Sequence, residues 1–276
     1  MTRSVRPALV AIGVLLWAAA QAAAQPAPHT PEERAQRLAE PDYTLVSLPT
    51  SLRVPAHRSA VRITHRFADT IDGAGAEGLF GIDSGAQVGF EYRFGITGRV
   101  DVGIHRTSNR VIELFGKYGL ARQGMGMPVE IAAFASVEGT DNFGLSGEVP
   151  SSHTAAVSVI VTRMTGDWAA FHVEPAWVHH ANLFEPAIED RDTFMVGLGG
   201  RARVRPTVYV VGEWVPRVAG YDSHRDHASI AIEKRAGGHV FQLNLSDSVA
   251  TTMGQIARGD VGAAGWHLGF NITRRF

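Results

Sequence analysis

The sequence predicts an all-β protein: a closed antiparallel transmembrane β-barrel of about 12 strands, of outer-membrane type. Three observations predict it. Hydropathy alternates with period two from Ser59 to the last residue, the connections between alternating segments are long and short by turns, and the final segment ends on an aromatic residue, Phe276.

The N-terminus reads as an export signal. Arg3 and Arg6 precede an apolar run from Ala8 to Ala20, too short for a membrane-spanning helix, which needs about 20 apolar residues. Ala22 and Ala24 are the small residues that a signal peptidase reads, so residues 1–24 are expected to be removed near Gln25. Removing Arg3 and Arg6 from 26 basic side chains leaves 24 against 27 acidic ones, without a long basic stretch, which argues against a nucleic-acid partner. Cysteine is absent, so disulfides, thiolate metal sites and a lipoprotein anchor are excluded. No later apolar run approaches 18 residues, leaving strands as the means of crossing a membrane.

Residues 25–49 are rich in Pro, Ala and charge and are expected to form a flexible periplasmic segment; the barrel domain is assigned to 50–276. In the barrel, Val88, Phe90, Tyr92 and Phe94 alternate with Gln87, Gly89, Glu91 and Arg93. The same alternation places twelve segments at about 59–67, 85–94, 99–106, 110–121, 128–138, 153–163, 168–180, 193–204, 207–216, 227–236, 238–246 and 264–276. The fifth and ninth are apolar in both phases, so their facing is open.

Connections after the odd segments are long, as in 68–84 and 247–263, while those after even segments are tight, as in Gly95-Ile96-Thr97-Gly98 and Ala236-Gly237. The short link around Thr107–Asn109 is the exception. An outer-membrane barrel has this asymmetry, with short turns and both termini on the periplasmic side. In the last segment Trp266, Leu268, Phe270 and Ile272 alternate toward Phe276, which marks Phe276 as an assembly signal for a barrel-assembly machinery, although Arg274 stands where that signal usually has an aromatic residue.

A sheet with one apolar and one charged column is inside-out in water but suited to lipid, where the exterior is apolar and closure pairs every backbone group. The inward column then carries a charge network of Glu91, Arg93, Glu113, Lys117, Glu174, Arg201, Arg203, Glu213, Glu233 and Arg235, with Arg62 and Arg66 beside it. Such charges can pair across a narrow lumen. Trp168, Trp177, Trp214 and Trp266 fall near strand ends, as an interfacial girdle requires.

Phe80-Gly81-Ile82-Asp83-Ser84-Gly85-Ala86, Gly95-Ile96-Thr97-Gly98-Arg99, Glu113-Leu114-Phe115-Gly116-Lys117-Tyr118, Gly212-Glu213-Trp214-Val215-Pro216 and Gly237-Gly238-His239-Val240-Phe241-Gln242-Leu243 carry a resemblance. They resemble the bacterial β-barrel family known as domain of unknown function 5777, over about residues 45 to 276. Thr97-Gly98 departs from the Thr-Asp expected in that turn. The resemblance implies a bacterial outer-membrane-type barrel without an assigned role, and the export signal and strand pattern together place it in the outer membrane of a Gram-negative bacterium.

For function, the sequence favours a narrow channel or passive pore for small solutes, in contact with outer-membrane lipid. The alternatives are a rim-active hydrolase and a closed structural or partner-binding barrel. The hydrolase reading rests on His179, His180, Asp190 and Asp192 in one loop and Asp222, Ser223, His224, Asp226 and His227 in the next, where a carboxylate can orient a histidine base. No Gly-x-Ser-x-Gly elbow supports it, so no catalytic residue is assigned. His105, His172, His180 and His267 fall on the expected lumen face, but without metal-ligand spacing, so neither a metal nor another cofactor is expected. Gly197, Gly199 and Gly200 lie mid-strand with no helix after them and are read as relieving crowding.

Overall fold

The computed structural model describes residues 38–124, 126–140, 153–181, 192–221, 225–259 and 262–276; the expected signal peptide and residues 25–37 lie outside them. The strands are β1 (Ser59–Phe67), β2 (Ala86–Gly95), β3 (Val100–Thr107), β4 (Val111–Ala121), β5 (Glu130–Thr140), β6 (His153–Thr165) and β7 (Ala169–His179). There follow β8 (Thr193–Arg205), β9 (Val208–Val215), β10 (Arg217–Gly220), β11 (His227–Ala236), β12 (His239–Ser246) and β13 (His267–Arg275). All pair antiparallel with their neighbours, β13 pairs with β1, and β8 pairs with β9, which closes the sheet. Pro216, which has no N–H for the ladder, splits one stave into β9 and β10, and both halves pair with β8. The barrel therefore has twelve staves, as the alternation predicts.

Exposure follows the pleat. In β2, Val88, Phe90, Tyr92 and Phe94 face outward while Gln87, Glu91 and Arg93 are buried inside. Outward columns elsewhere carry Ile104, Leu114, Val157, Val159, Phe171, Ile230, Ile232 and Leu243, all large, apolar and exposed. An apolar exterior of this extent is at odds with water and matches the lipid-facing band of a membrane barrel. Trp168 sits at the end of the molecule with the short turns and the C-terminus, here the terminal end; Trp177, Trp214 and Trp266 sit at the opposite, loop end.

The two staves with ambiguous facing resolve by burial. In β5, Ala132 and Phe134 point inward with Glu130 and Glu138; in β9, Tyr209, Val211 and Glu213 do so. Apolar residues on both faces mean that part of the interior is itself apolar.

Two segments outside the wall explain this. Residues 39–52 are buried almost throughout and lie within the barrel, so the flexible periplasmic segment expected at 25–49 is not what the described part, 38–49, forms. From the loop end, residues 246–259 also fold inward and include helix α2 (Met253–Arg258), all six of whose residues are buried. A shorter helix, α1 (Ile71–Ala74), stays exposed in the β1–β2 loop. The side chains of Leu45, Val46 and Leu48 join Met253, Ile256 and Ala257 in one apolar cluster with inward Phe115, Phe134, Ile160, Met195 and Val211.

A charge placed on the outward column tests the facing. Val159→Arg and Phe90→Arg are each expected to lower folding free energy in lipid vesicles by roughly 2–4 kcal/mol, while Val159→Leu stays within about 0.5 kcal/mol in a urea titration. A Val159→Arg barrel as stable as the parent would put that column in water.

Candidate functional site

The inward segment is a small hairpin. Thr44 bridges Pro49, Leu45 N–H donates to Leu48 O at 2.8 Å, and Thr50 N–H donates to Tyr43 O at 2.9 Å, which places Val46 and Ser47 at the tip. No turn hydrogen bond takes the amides of the tip. The Glu213 carboxylate accepts from Val46 N at 3.0 Å, Ser47 N at 2.9 and 3.1 Å, and Leu48 N at 3.1 Å. Three converging backbone donors form an anion nest, and a wall carboxylate fills it. His227 Nε2 lies 3.1 Å from the same carboxylate, and its Nδ1 lies 3.1 Å from Ser248 Oγ and 3.3 Å from Asp247.

The carbonyls of the tip are answered by cations and amides of the wall. Val46 O accepts from Arg62 at 2.6 Å and Asn271 at 3.1 Å, and Leu45 O accepts from Gln242 at 2.9 Å. Lower in the hairpin, Lys117 donates to Thr50 O at 2.8 Å and to Leu52 O, while Asp101 accepts from Val54 N at 2.9 Å. Arg201 is bidentate to Glu233 at 2.6 and 2.9 Å, donates to Thr44 O at 2.7 Å, and pairs with Glu40. The other oxygen of Glu40 lies 2.7 Å from His172 Nε2, whose Nδ1 faces Thr162 Oγ1 at 2.9 Å. With Glu40 ionised, Nε2 carries the imidazole proton and Thr162 donates to Nδ1.

The ten charged residues expected in the lumen divide accordingly. Lys117, Arg201, Glu213 and Glu233 contact the hairpin or hold the group that does. Glu91 and Arg93 pair with each other along β2 at 2.5 and 3.1 Å, and the Arg93 guanidinium lies 4.6 Å over Phe115. Glu174 accepts from Ser158 at 2.5 Å, and Glu113 lies 3.8 Å from His105. Arg203 and Arg235 are only half-buried at the terminal rim, Arg203 paired with Asp167 at 2.5 Å, so they stand apart from the central network. Four of the ten thus answer the hairpin, and the remaining six pair along the wall or stand at the rim.

Sequence reasoning missed Glu40 and Asp42, the latter accepting from Thr273 Oγ1 at 2.8 Å, because it placed both outside the barrel. A signal for the hairpin was present in β8. A Cβ on Gly197 would meet Leu48, and one on Gly199 would meet Leu45, so these inward glycines make room for the hairpin's leucines. Gly200 faces outward against Phe171.

At the loop end, Thr252 caps the start of α2 by accepting from Gln255 N at 3.2 Å, and Arg217 donates to the terminal carbonyls of Ile256 and Ala257 at 2.6 and 2.9 Å. Arg258 pairs with Glu138 at 3.0 Å. The helix and hairpin meet where Ser47 Oγ donates to Ala250 O at 3.2 Å. The space left near this junction, bordered by Thr44, Ser47, Arg62, Glu91, Thr251 and Met253, is about 20 Å³, room for about one water. Among the described residues, the hairpin and α2 thus occupy the space inside the barrel at this level.

The histidines scatter. His105, His172 and His267 are buried inward, whereas His180 is exposed at the loop end rather than on the lumen face expected for it. His179 Nδ1 lies 2.8 Å from Asp192 at the outer rim, with the His180 ring stacked on it at 3.8 Å. Asp190, Asp222, Ser223 and His224 lie outside the described residues, and His227 opens β11 inside the barrel rather than standing in the rim loop. Among the described residues no cluster of three ligating side chains is placed to hold a metal ion.

A closed sheet, an apolar exterior and a polar interior define a membrane-bound β-barrel. The chain belongs to the family described as a membrane bound beta barrel domain (DUF5777), whose model matches residues 42–276. Thus the family match begins inside the hairpin, at Asp42. No curated protein matches the chain in sequence. Among solved structures it is similar to an outer membrane channel of Pseudomonas putida F1, at 10% identity over 86% of this chain and 99% of that one, with a TM-score of 0.49. It is also similar to outer membrane phospholipase A of Escherichia coli (12% identity, 87% and 96% coverage, TM-score 0.45). A third is the outer membrane protein Omp33 of Acinetobacter baumannii (12%, 81% and 100%, TM-score 0.42). None of the three lends this chain an activity.

Arg201 offers a direct test of the anchoring. Arg201→Ala leaves Glu40 and Glu233 buried without their shared cation, a loss of about 3–5 kcal/mol. In this cysteine-free chain a single Ser47→Cys substitution reports the hairpin tip. Maleimide labelling of the thiol introduced there is expected to rise several-fold in the Arg201→Ala background while the β-sheet circular dichroism is retained. Unchanged labelling would show that Arg201 does not hold the hairpin.

Proposed function

We propose that this protein is an outer-membrane channel for small solutes, held shut at rest by its own N-terminal hairpin and opened when the hairpin withdraws toward the terminal end. The observation that carries the reading is the Glu213 nest: the wall's polar groups hold by non-covalent contacts alone a segment whose chain link to the barrel is the stretch 51–58 leading into β1. A purely structural barrel has no need of this, since inward charges can pair across the wall or be replaced by well-packed apolar residues. The apolar contacts of Leu45 and Leu48 with glycine-floored positions are likewise those of a removable part.

Residues 1–24 are the proposed export signal, cleaved near Gln25, and the membrane is the outer membrane of a Gram-negative bacterium. Phe276, exposed and tied to the sheet by its N–H donating to Ser59 O at 2.9 Å, is the proposed recognition residue for the assembly machinery. With the hairpin withdrawn, inward Arg62, Arg66, Arg93, Lys117, Arg201 and Arg258 are outnumbered by Glu91, Asp101, Glu113, Glu130, Glu138, Glu174, Glu213 and Glu233. The open path then favours cations modestly.

A hydrolase reading has one observation, the His179–Asp192 pair, but among the described residues no hydroxyl nucleophile is hydrogen-bonded to it. His227 has carboxylate and serine neighbours, yet it is enclosed beside the hairpin tip, where substrate has no access.

Planar-bilayer recording tests the channel. The full chain is expected to be quiet with rare openings, and a chain lacking residues 38–54 to conduct steadily with a cation-favouring reversal potential. Cysteines at Asp42 and Thr273, whose side chains touch, should abolish the rare openings when cross-linked and restore them on cleavage of the link. A correctly folded, hairpin-less barrel as silent as the full chain would contradict the reading.

A further inference from the structure

The outer wall is not uniformly convex. On β9, β11, β12 and β13 it holds an apolar groove of about 440 Å³ lined by Ile232, Phe241, Leu243, Phe270 and Ile272, with Lys234 forming part of the same lining. The register explains its shape: Ile232 lies opposite Leu243 and Lys234 opposite Phe241, while Leu243 and Phe241 lie opposite Phe270 and Ile272. One step nearer the terminal end, Arg274 lies opposite His239, with its Nη1 3.1 Å from His239 Nδ1 and its guanidinium 5.5 Å over the Phe276 ring.

The groove is therefore apolar along its length and cationic where it meets the terminal end. Lys234 and Arg274 occupy the outward column directly beyond Ile232 and Ile272, the depth at which the apolar band gives way to lipid headgroups. A lysine at such a place lays its methylene stem along apolar surface and carries its ammonium to the headgroup layer. The adjoining terminal end has the same sign, with Arg205 at the end of β8, Arg275 at the end of β13 and Arg99 in the β2–β3 turn.

We propose that this groove is a binding site for a phospholipid of net negative headgroup from the leaflet at the terminal end. One acyl chain lies along Leu243 and Phe270, and the headgroup phosphate lies against Lys234 and Arg274. The occupant follows from the combination of features. An acyl chain alone needs no cation, a soluble anion needs no groove, and anionic lipid surfaces attract basic side chains over a Debye length at most. The site is independent of the lumen and of whether the barrel conducts.

Native mass spectrometry of the delipidated, refolded full chain tests it, with phosphatidylglycerol and phosphatidylcholine of identical chains as probes. The wild-type chain is expected to retain phosphatidylglycerol at least tenfold better. Lys234→Gln with Arg274→Gln should abolish that preference without lowering phosphatidylcholine retention, and Leu243→Trp, which fills the groove, should lower retention of both lipids. Arg106→Gln, on an outward column near the loop end, should change nothing. Heat-modifiable gel migration verifies that each variant is folded. Equal retention of the two lipids by the wild type, preference surviving the double substitution, or full retention by Leu243→Trp would each overturn the proposal. So would competition by millimolar inorganic phosphate as effective as that by lipid, since it would identify an anion site without a groove.

Discussion

A polar lumen enclosed by lipid must satisfy its polar groups internally, and in this barrel one backbone hairpin does much of that work. Glu213 is the point on which the arrangement turns. Its carboxylate faces three amides of the hairpin tip and His227, and each hydrogen bond to a charged group is worth about 1.5–3 kcal/mol. Without the tip the carboxylate would face the lumen largely unpaired. Without Glu213 the tip would have three buried amides and no acceptor. The two elements are held together because neither is stable alone in that space.

The rest of the interior is arranged around this contact. Gly197 and Gly199 leave the floor open for Leu48 and Leu45; Arg201 joins Glu40 of the hairpin strand to Glu233 of the wall; Lys117 and Asp101 take up the backbone beyond the turn. Helix α2 closes the same space from the other end, and its residues Met253, Ile256 and Ala257 share a cluster with the hairpin's leucines. Glu213, Glu233 and Arg201 all engage the hairpin or the group that holds it, so removing it would leave several buried polar groups to be compensated at once.

The wall was legible in the sequence because lipid and lumen impose opposite chemistry on alternate residues. Phe90 against Glu91 and Ile232 against Glu233 set both register and facing, and Pro216 alone altered the strand count, by splitting a stave. The hairpin was not legible by the same means. Tyr43 to Pro49 has no period of its own, and its partners lie far along the chain, Glu213 being 165 to 167 positions away. Its trace was indirect. Phe134 and Val211 are apolar on a face that should be polar, and Gly197 and Gly199 are missing side chains on that same face, which together describe the imprint of an apolar guest. His227 and Arg203 were displaced in the sequence reading for a simpler reason: strand ends set whether a residue belongs to wall or rim, and ends are the least determined part of an alternating pattern.

The central claim is that residues 45–48 are bound inside the barrel by Glu213. Hydrogen exchange of the Val46, Ser47 and Leu48 amides in a lipid-reconstituted sample measures this most directly. The account predicts protection within about tenfold of that of strand amides such as those of β13, and its selective loss in Glu213→Gln while the strands stay protected. Exchange of these three amides at the rate of an unstructured tail in the unsubstituted protein would contradict it.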